Sequence, residues 1–404
     1  MVCVFIINKN KRTLLRRTWQ TKYIPYPPIN QDNLYYFENI ELQKSFIYKN
    51  KVKANKKNIL FVCRLSKIGG IETRFTKILD IVQQNFNVFI LSPLDSYNYT
   101  DIIKLDDVFC YQTNFKRDPK TLVNFIRKII ALHNIDIMEF EYGHFWQLDY
   151  QELKISNTKL VGVFHHHLDF NHNLTINNHI KKEFHNFDAI IKIKENLGLP
   201  SHPNTHIIPN GVVEIKKYYQ ANNSKKCLII SRISKDKFKS ITKFIEFAQQ
   251  NNIKPILAGF KQDKKIIDKL KTTYNLNDDN FIGYINTLEH LKENYNEYLF
   301  ICGVAQVPIE AIAFGFPCLT TSEFEKVVKG HFGLTFVKIQ NWEKLYATNF
   351  GLVENNDGKE AKEDLHKIIN HDLADFDLAE KTRDYIDINK IYSNYINILQ
   401  NLMK

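Results

Sequence analysis

An alternation of strand, turn and helix that starts twice is what most constrains this chain. From Asn58 the sequence runs NILFVCRL, then SKIGG, then IETRFTKILDIVQQN with apolar residues at helical spacing, then NVFILSPL. Apolar runs of strand length on either side of an amphipathic helix predict a βαβ unit with parallel strands. Further apolar segments at Asp136–Phe140, Lys159–Phe164 and Ala189–Ile193, with a helix over Pro119–His133, extend the pattern. The turn-rich passage GLPSHPNTHIIPNG interrupts it, and a second series begins at KKCLIISRI. That series reads as strands at IKPILAGF, NFIGYI and YLFIC, and helices at Ser240–Asn251, Asp263–Tyr274, Leu288–Tyr295 and Pro308–Phe314. The expected fold class is therefore α/β, with two doubly wound, Rossmann-like domains.

A length of 404 residues suits two cores rather than one. The expected organisation is a basic extension over 1–56, a first domain over 57–205 and a second over 206–375. An amphipathic C-terminal segment, 376–404, packs on the second domain or crosses back to the first. Twenty Tyr and 29 Phe against 14 Gly and 11 Pro leave little material for long linkers.

The formal charge of +11 is spread along the chain and suits an anionic partner such as a phosphate ligand or lipid headgroups. No zinc-finger spacing or aromatic nucleic-acid signature accompanies it, so no specific nucleic-acid partner is expected. Six widely spaced cysteines without a Cys-x-x-Cys pair read as reduced core residues of a cytoplasmic protein. The apolar run Val2–Ile7 is too short for a signal peptide, and no run is long enough to span a membrane, so a contact with the inner face of the cell membrane would be peripheral.

Three motifs could carry chemistry. In SKIGGIE, Gly69 and Gly70 stand between a strand and its helix, where the backbone can approach a phosphate or an activated sugar; a plain tight turn is the simpler reading. In SRISKDK, Arg232 and Lys237 follow the first strand of the second series, the edge at which open α/β sheets bind ligands. A guanidinium fork and an ammonium there could neutralise a diphosphate. In ICGVAQVPIEAIAFGFPCL, the turn residues Gly303, Val304, Ala305, Gln306 and Val307 lead into a helix carrying Glu310. That carboxylate could serve the helix dipole, or accept both hydroxyls of a ribose. The Gly-x-Gly-x-x-Gly fingerprint is absent, which disfavours a nicotinamide or flavin enzyme.

Taken in order, with IIPNGV between them, these pieces resemble the family 4 glycosyltransferases of the GT-B fold. The resemblance implies two Rossmann-like domains facing a cleft. It implies that Gly69 and Gly70 contact a nucleotide-sugar donor, that Pro209–Val212 opens the donor domain, that Arg232 and Lys237 bind the donor diphosphate, and that Glu310 binds the ribose. It also implies sugar transfer, hexosyl in type, with retained anomeric configuration, from a UDP or GDP donor to a glycan or lipid-linked acceptor, as in bacterial surface polysaccharide or glycoconjugate synthesis. The nucleotide sugar is a substrate, and no cofactor or metal is expected. Two departures stand out: Ser231 replaces the usual glycine before the arginine, and Cys302 stands eight residues before Glu310, where the family has its first acid.

Two polar clusters of the first series add candidates. FHHHLDFNH places His165 and His166 at a strand end; either could contact the donor sugar, with His165 also read as catalytic and His166 as an acceptor contact. Consecutive histidines on a strand point to opposite faces and do not converge on one ion. In DIMEFEYGHFW, Glu139 and Glu141 share one face, with His144 beyond. They read as a general base for an acceptor hydroxyl or, preferably, as strand-end acids meeting solvent. The missing first acid leaves two alternatives: a non-catalytic nucleotide-sugar-binding partner subunit, and a nucleotide-sugar epimerase on the same scaffold.

Overall fold

The computed structural model describes residues 44–47, 53–63, 70–93, 108–113, 119–141, 148–154, 157–165, 174–195, 197, 199–259, 263–322, 333–348, 350, 353, 356 and 358–404. The chain divides into two compact units, Met1–Val163 with Asn173–Ile190 and Leu402–Lys404, and Phe164–His172 with Ile191–Asn401.

The first sheet contains β1 (Lys44–Ile47), β2 (Lys57–Val62), β3 (Phe86–Pro93), β4 (Val108–Thr113), β5 (Ile137–Glu141), β6 (Lys159–Phe164), β7 (Ala189–Lys192) and β8 (Thr205–Ile207), in the order β1-β4-β3-β2-β5-β6-β7-β8. Strands β2 to β6 pair in parallel, and β1 lies antiparallel on β4. Strand β2 shows why: Ile59 to Val62 are all fully buried, the mark of a strand covered on both faces. Helices α1 (Gly70–Asn85), α2 (Pro119–His133) and α3 (Leu174–Glu183) belong to this half of the chain. The apolar stripe of α2, from Leu122 to Ile130, is buried at the spacing its sequence predicts.

The second sheet is β11-β10-β9-β12-β13-β14, built from β9 (Lys226–Ile230), β10 (Lys254–Ala258), β11 (Phe281–Gly283), β12 (Phe300–Cys302), β13 (Cys318–Thr321) and β14 (Leu334–Phe336). Its pairs are parallel except for β13 with β14. Alternation along the strands divides the core between its two faces. Leu228, Ile230, Ile256, Ala258 and Ile301 enter one cluster, with Ile309 and Ile312 of α7 (Gln306–Ala313) and Leu291 of α6 (Thr287–Glu293). Cys227, Ile229, Leu257, Phe300 and Cys302 enter the other. There they meet Phe244 of α4 (Phe238–Gln250), Leu270 of α5 (Lys264–Tyr274) and Leu365 of α9 (Lys359–Ile369), while α8 (Trp342–Ala347) joins the first cluster. This three-layer packing is what the expected α/β class requires.

The C-terminal amphipathic stretch forms two helices, α10 (Ala379–Ile386) and α11 (Ile388–Asn401), broken at the extended Asp387. At that break the amide of Val212 donates to the Ile386 carbonyl at 2.8 Å, and the amide of Ile388 donates to the Val212 carbonyl at 3.1 Å. The Pro-Asn-Gly-Val segment thus docks onto the junction of α10 and α11.

Candidate functional site

In chain order the strands of the second sheet run third, second, first, fourth, fifth, sixth, which puts the reversal of winding between β9 and β12. Open α/β sheets bind ligands at the carboxyl ends of the strands flanking such a reversal. Cys302 pairs with Ile229, so the turn at Gly303 leaves the sheet beside Ile230 and the turn that carries Arg232. Adjacent strands are about 4.8 Å apart, which makes SRISKDK and GVAQV neighbours at one sheet edge.

Arg232 is exposed and its guanidinium is engaged. It donates through Nη2 to Asp236 at 2.5 Å and through Nε to the Ser234 hydroxyl at 3.3 Å. Ser234 in turn donates to the other Asp236 oxygen at 2.6 Å. Burial pushes the Asp236 carboxyl up, but the Ser234 hydroxyl, Arg232 and Lys237 together outweigh it and hold the group below its usual range. Lys237 closes a single 3-10 turn before α4, and its amide donates to the Ser234 carbonyl at 3.0 Å. It is 8% exposed, so surface basicity does not describe it.

The Arg232 turn rests on the end of β10 through a residue that sequence reasoning missed. A Cβ on Gly259 would lie 1.8 Å from the Ser231 carbonyl oxygen, so only glycine permits that approach. Asp263, beyond the next strand, donates its amide to the Ile233 carbonyl and caps α5 through Lys265, fixing the far side of the turn.

The other half of the edge is tight. A Cβ on Gly303 would come within 2.3 Å of Val307, so the turn folds directly onto its own helix. Ala305 takes φ +59° and ψ −115° at the N-cap of α7, a conformation that strains a residue with a Cβ and costs on the order of 1–3 kcal/mol. Gln306 donates to the Gly211 carbonyl at 3.2 Å, and Val304 and Val307 are half-buried. Glu310, 7% exposed, lies one helical turn further on. Cys302 does not reach this edge: its side chain belongs to the α4 face of the core, and burial pushes its thiol well up. It is no substitute for an acid.

In the first unit the winding reverses between β2 and β5. Glu139 and Glu141 lie there on one face of β5, as expected, but they do not meet solvent: they are 0% and 1% exposed. Arg74 of α1 donates to Glu141 at 2.9 Å in an ion pair with both side chains 1% exposed. Gly70 opens α1, and His165 follows β6 at 4% exposure. Gly69, His144 and His166 lie outside the described residues. Among the described residues no three His, Cys, Asp or Glu side chains converge as metal ligands, and no helix is long and apolar enough to cross a membrane.

No family model and no curated protein matches this chain. Solved structures do. Sucrose-phosphate synthase from Thermosynechococcus elongatus superposes with a TM-score of 0.64 at 16% identity, covering 86% of this chain and 99% of that one. HepE from Anabaena, crystallised with UDP and glucose, gives 0.61 at 14% identity over 85% and 99%. A putative UDP-N-acetylglucosamine 2-epimerase from Listeria monocytogenes gives 0.54 at 10% identity over 85% and 96%. At these identities the likeness establishes the fold, which is GT-B.

Proposed function

We propose that this chain is a glycosyltransferase that moves a sugar from a nucleotide diphosphate to a glycan or lipid-linked acceptor. The observation that carries the reading is the edge of the second sheet, where Arg232 and Lys237 follow β9 and the helix carrying Glu310 follows β12, the two strands flanking the reversal of winding. In the transfer, the bond between the anomeric carbon and the diphosphate oxygen breaks and its electron pair leaves on the phosphate. The acceptor oxygen bonds to the anomeric carbon and gives up its proton. Negative charge grows on the leaving group, so fixed cations there lower the barrier. Arg232 supplies a planar fork and Lys237, buried at 8% exposure, a point charge for the departing diphosphate. Glu310 accepts from the ribose hydroxyls, and the start of α7 at Gln306 adds the positive end of a helix to the phosphate side of the site.

UDP is the first donor nucleotide to test, because HepE, of the same fold, was crystallised with it. Retention of configuration and a place in surface glycan or glycoconjugate synthesis belong to the same proposal. So does the idea that the basic surface touches an anionic membrane. A second reading, epimerisation of the donor, is favoured by one observation: Cys302, a buried thiol, stands where the transferases of family 4 carry an acid, and the Listeria epimerase shares the fold. Thermal shift with UDP, GDP, ADP and CMP tests the donor site, with stabilisation expected for one of them in wild type and its loss in Arg232→Ala. Stabilisation by none of them refutes the reading. Product analysis with the matching nucleotide sugar then separates transfer from epimerisation, since an epimerase converts donor with no acceptor present.

A further inference from the structure

Asp236 is an anion placed where the proposed ligand is also an anion. Its carboxylate uses one oxygen on the Arg232 Nη2 at 2.5 Å and the other on the Ser234 hydroxyl at 2.6 Å. The same serine accepts from the Arg232 Nε at 3.3 Å, so Ser234 and Asp236 together occupy two donors of the guanidinium fork. Lys237, the second cation of the edge, follows Asp236 directly in the chain and contributes to keeping its carboxyl ionised. All three groups lie within one turn whose backbone is fixed by the Ser231–Ala258, Lys237–Ser234 and Asp263–Ile233 hydrogen bonds. The backbone therefore keeps Asp236 within reach of Arg232, and a diphosphate that binds the fork must compete with it.

We propose that Asp236 is an affinity-setting residue of the donor site, an internal carboxylate that holds Arg232 until a diphosphate displaces it and that reclaims the guanidinium as the nucleoside diphosphate product leaves. This rests on the reading of Arg232 as the diphosphate ligand. The Arg232–Asp236 pair is about half exposed on both sides, at 43% and 47%, which makes it a weak lock of the kind that a ligand can open. Every anion that uses the fork pays the same cost. A ligand that engages Arg232 alone is thereby held to low occupancy, whereas one that also reaches Glu310 has binding energy left over. After transfer the sugar contacts are gone, and competition from Asp236 speeds departure of the product.

The test compares wild type, Asp236→Asn and Ser234→Ala in the full chain, by calorimetry and stopped-flow binding of three probes: UDP, inorganic pyrophosphate and uridine. Asn keeps the shape and removes the charge. For Asp236→Asn the expected result is binding of UDP and of pyrophosphate about two- to fivefold tighter, chiefly through slower dissociation, with uridine unchanged. Ser234→Ala, which loosens the carboxylate without removing it, should shift both anions in the same direction by less. Weaker or equal anion binding in Asp236→Asn overturns the proposal, as does an equal gain for uridine, which would mark a general structural effect. If UDP binds neither protein while pyrophosphate binds Asp236→Asn more tightly, the donor-site reading falls and the competition at Arg232 stands. If neither anion binds either protein, both fall.

Discussion

Substitution of Arg74 by Met removes the cation from a buried ion pair. The Glu141 carboxylate sits at the end of β5 with 1% exposure, next to Glu139 on the same face at 0%, and Arg74 is its ion-pair partner at 2.9 Å. Removing one member of a buried pair typically costs about 3–5 kcal/mol, because the survivor keeps its desolvation penalty and loses its compensation. For a unit of between about 150 and 250 residues each kcal/mol lowers the melting temperature by about 2–4 °C, so Arg74→Met should melt about 6–20 °C lower. The double variant Arg74→Met/Glu141→Leu replaces the pair with apolar groups of similar volume, and such replacements are often neutral or stabilising by about 1–4 kcal/mol. It should therefore recover most or all of the loss. The assay is differential scanning calorimetry of the full chain, following the transition of the first unit. An Arg74→Met variant that melts within about 2 °C of wild type, or a double variant no better than the single one, refutes the reasoning.

Two further outcomes follow from the same structure. Glu310→Gln should weaken UDP by about ten- to a hundredfold, the worth of hydrogen bonds to a charged acceptor, yet leave pyrophosphate within about twofold; an equal loss for both probes by calorimetry would remove Glu310 from the ribose role. His133 packs on Phe89 with ring centroids 4.5 Å apart, and burial pushes its imidazole from 6.5 down to about 4. The unfolded chain therefore holds the extra proton between those values, so the stability contributed by neutral His133 is complete above about pH 6.5 and is lost progressively as pH falls to about 4. Urea titrations should show that slope in wild type and a shallower one in His133→Gln.

The strands at the centre of each sheet were legible because burial on both faces leaves an unmistakable record, as in NILFV and CLII. Two of the edge strands were not. Leu334–Phe336 and Thr205–Ile207 are three residues each, too short for any periodicity to accumulate, and their pairing is decided by partners distant in sequence. The same division runs through the candidate site. Arg232, Lys237 and Glu310 could be singled out because each stands in a local motif next to a strand end. The crowding of Gly259 against Ser231 and the Arg74–Glu141 pair spanning 67 positions could not, because they depend on how separate segments meet in space. Glu139 and Glu141 show the cost: their alternation placed them on one face, but which side of the sheet that face addressed was fixed by α1, not by the strand.

The docking of Val212 between Ile386 and Ile388 also bears on synthesis. Ile386 and Leu378 belong to the same core cluster as Val212, Ile309, Ala311 and Phe314, although well over a hundred residues of chain separate Val212 from α10. A ribosome must have released residue 388 before that layer can close. Until then the nascent chain carries the apolar face of α7 without its cover, a state open to aggregation and to chaperone capture. Synonymous codon changes that slow translation between β14 and α10 should prolong that exposure, so the soluble yield of this protein is expected to respond to elongation speed there more than in the segment that encodes the first sheet.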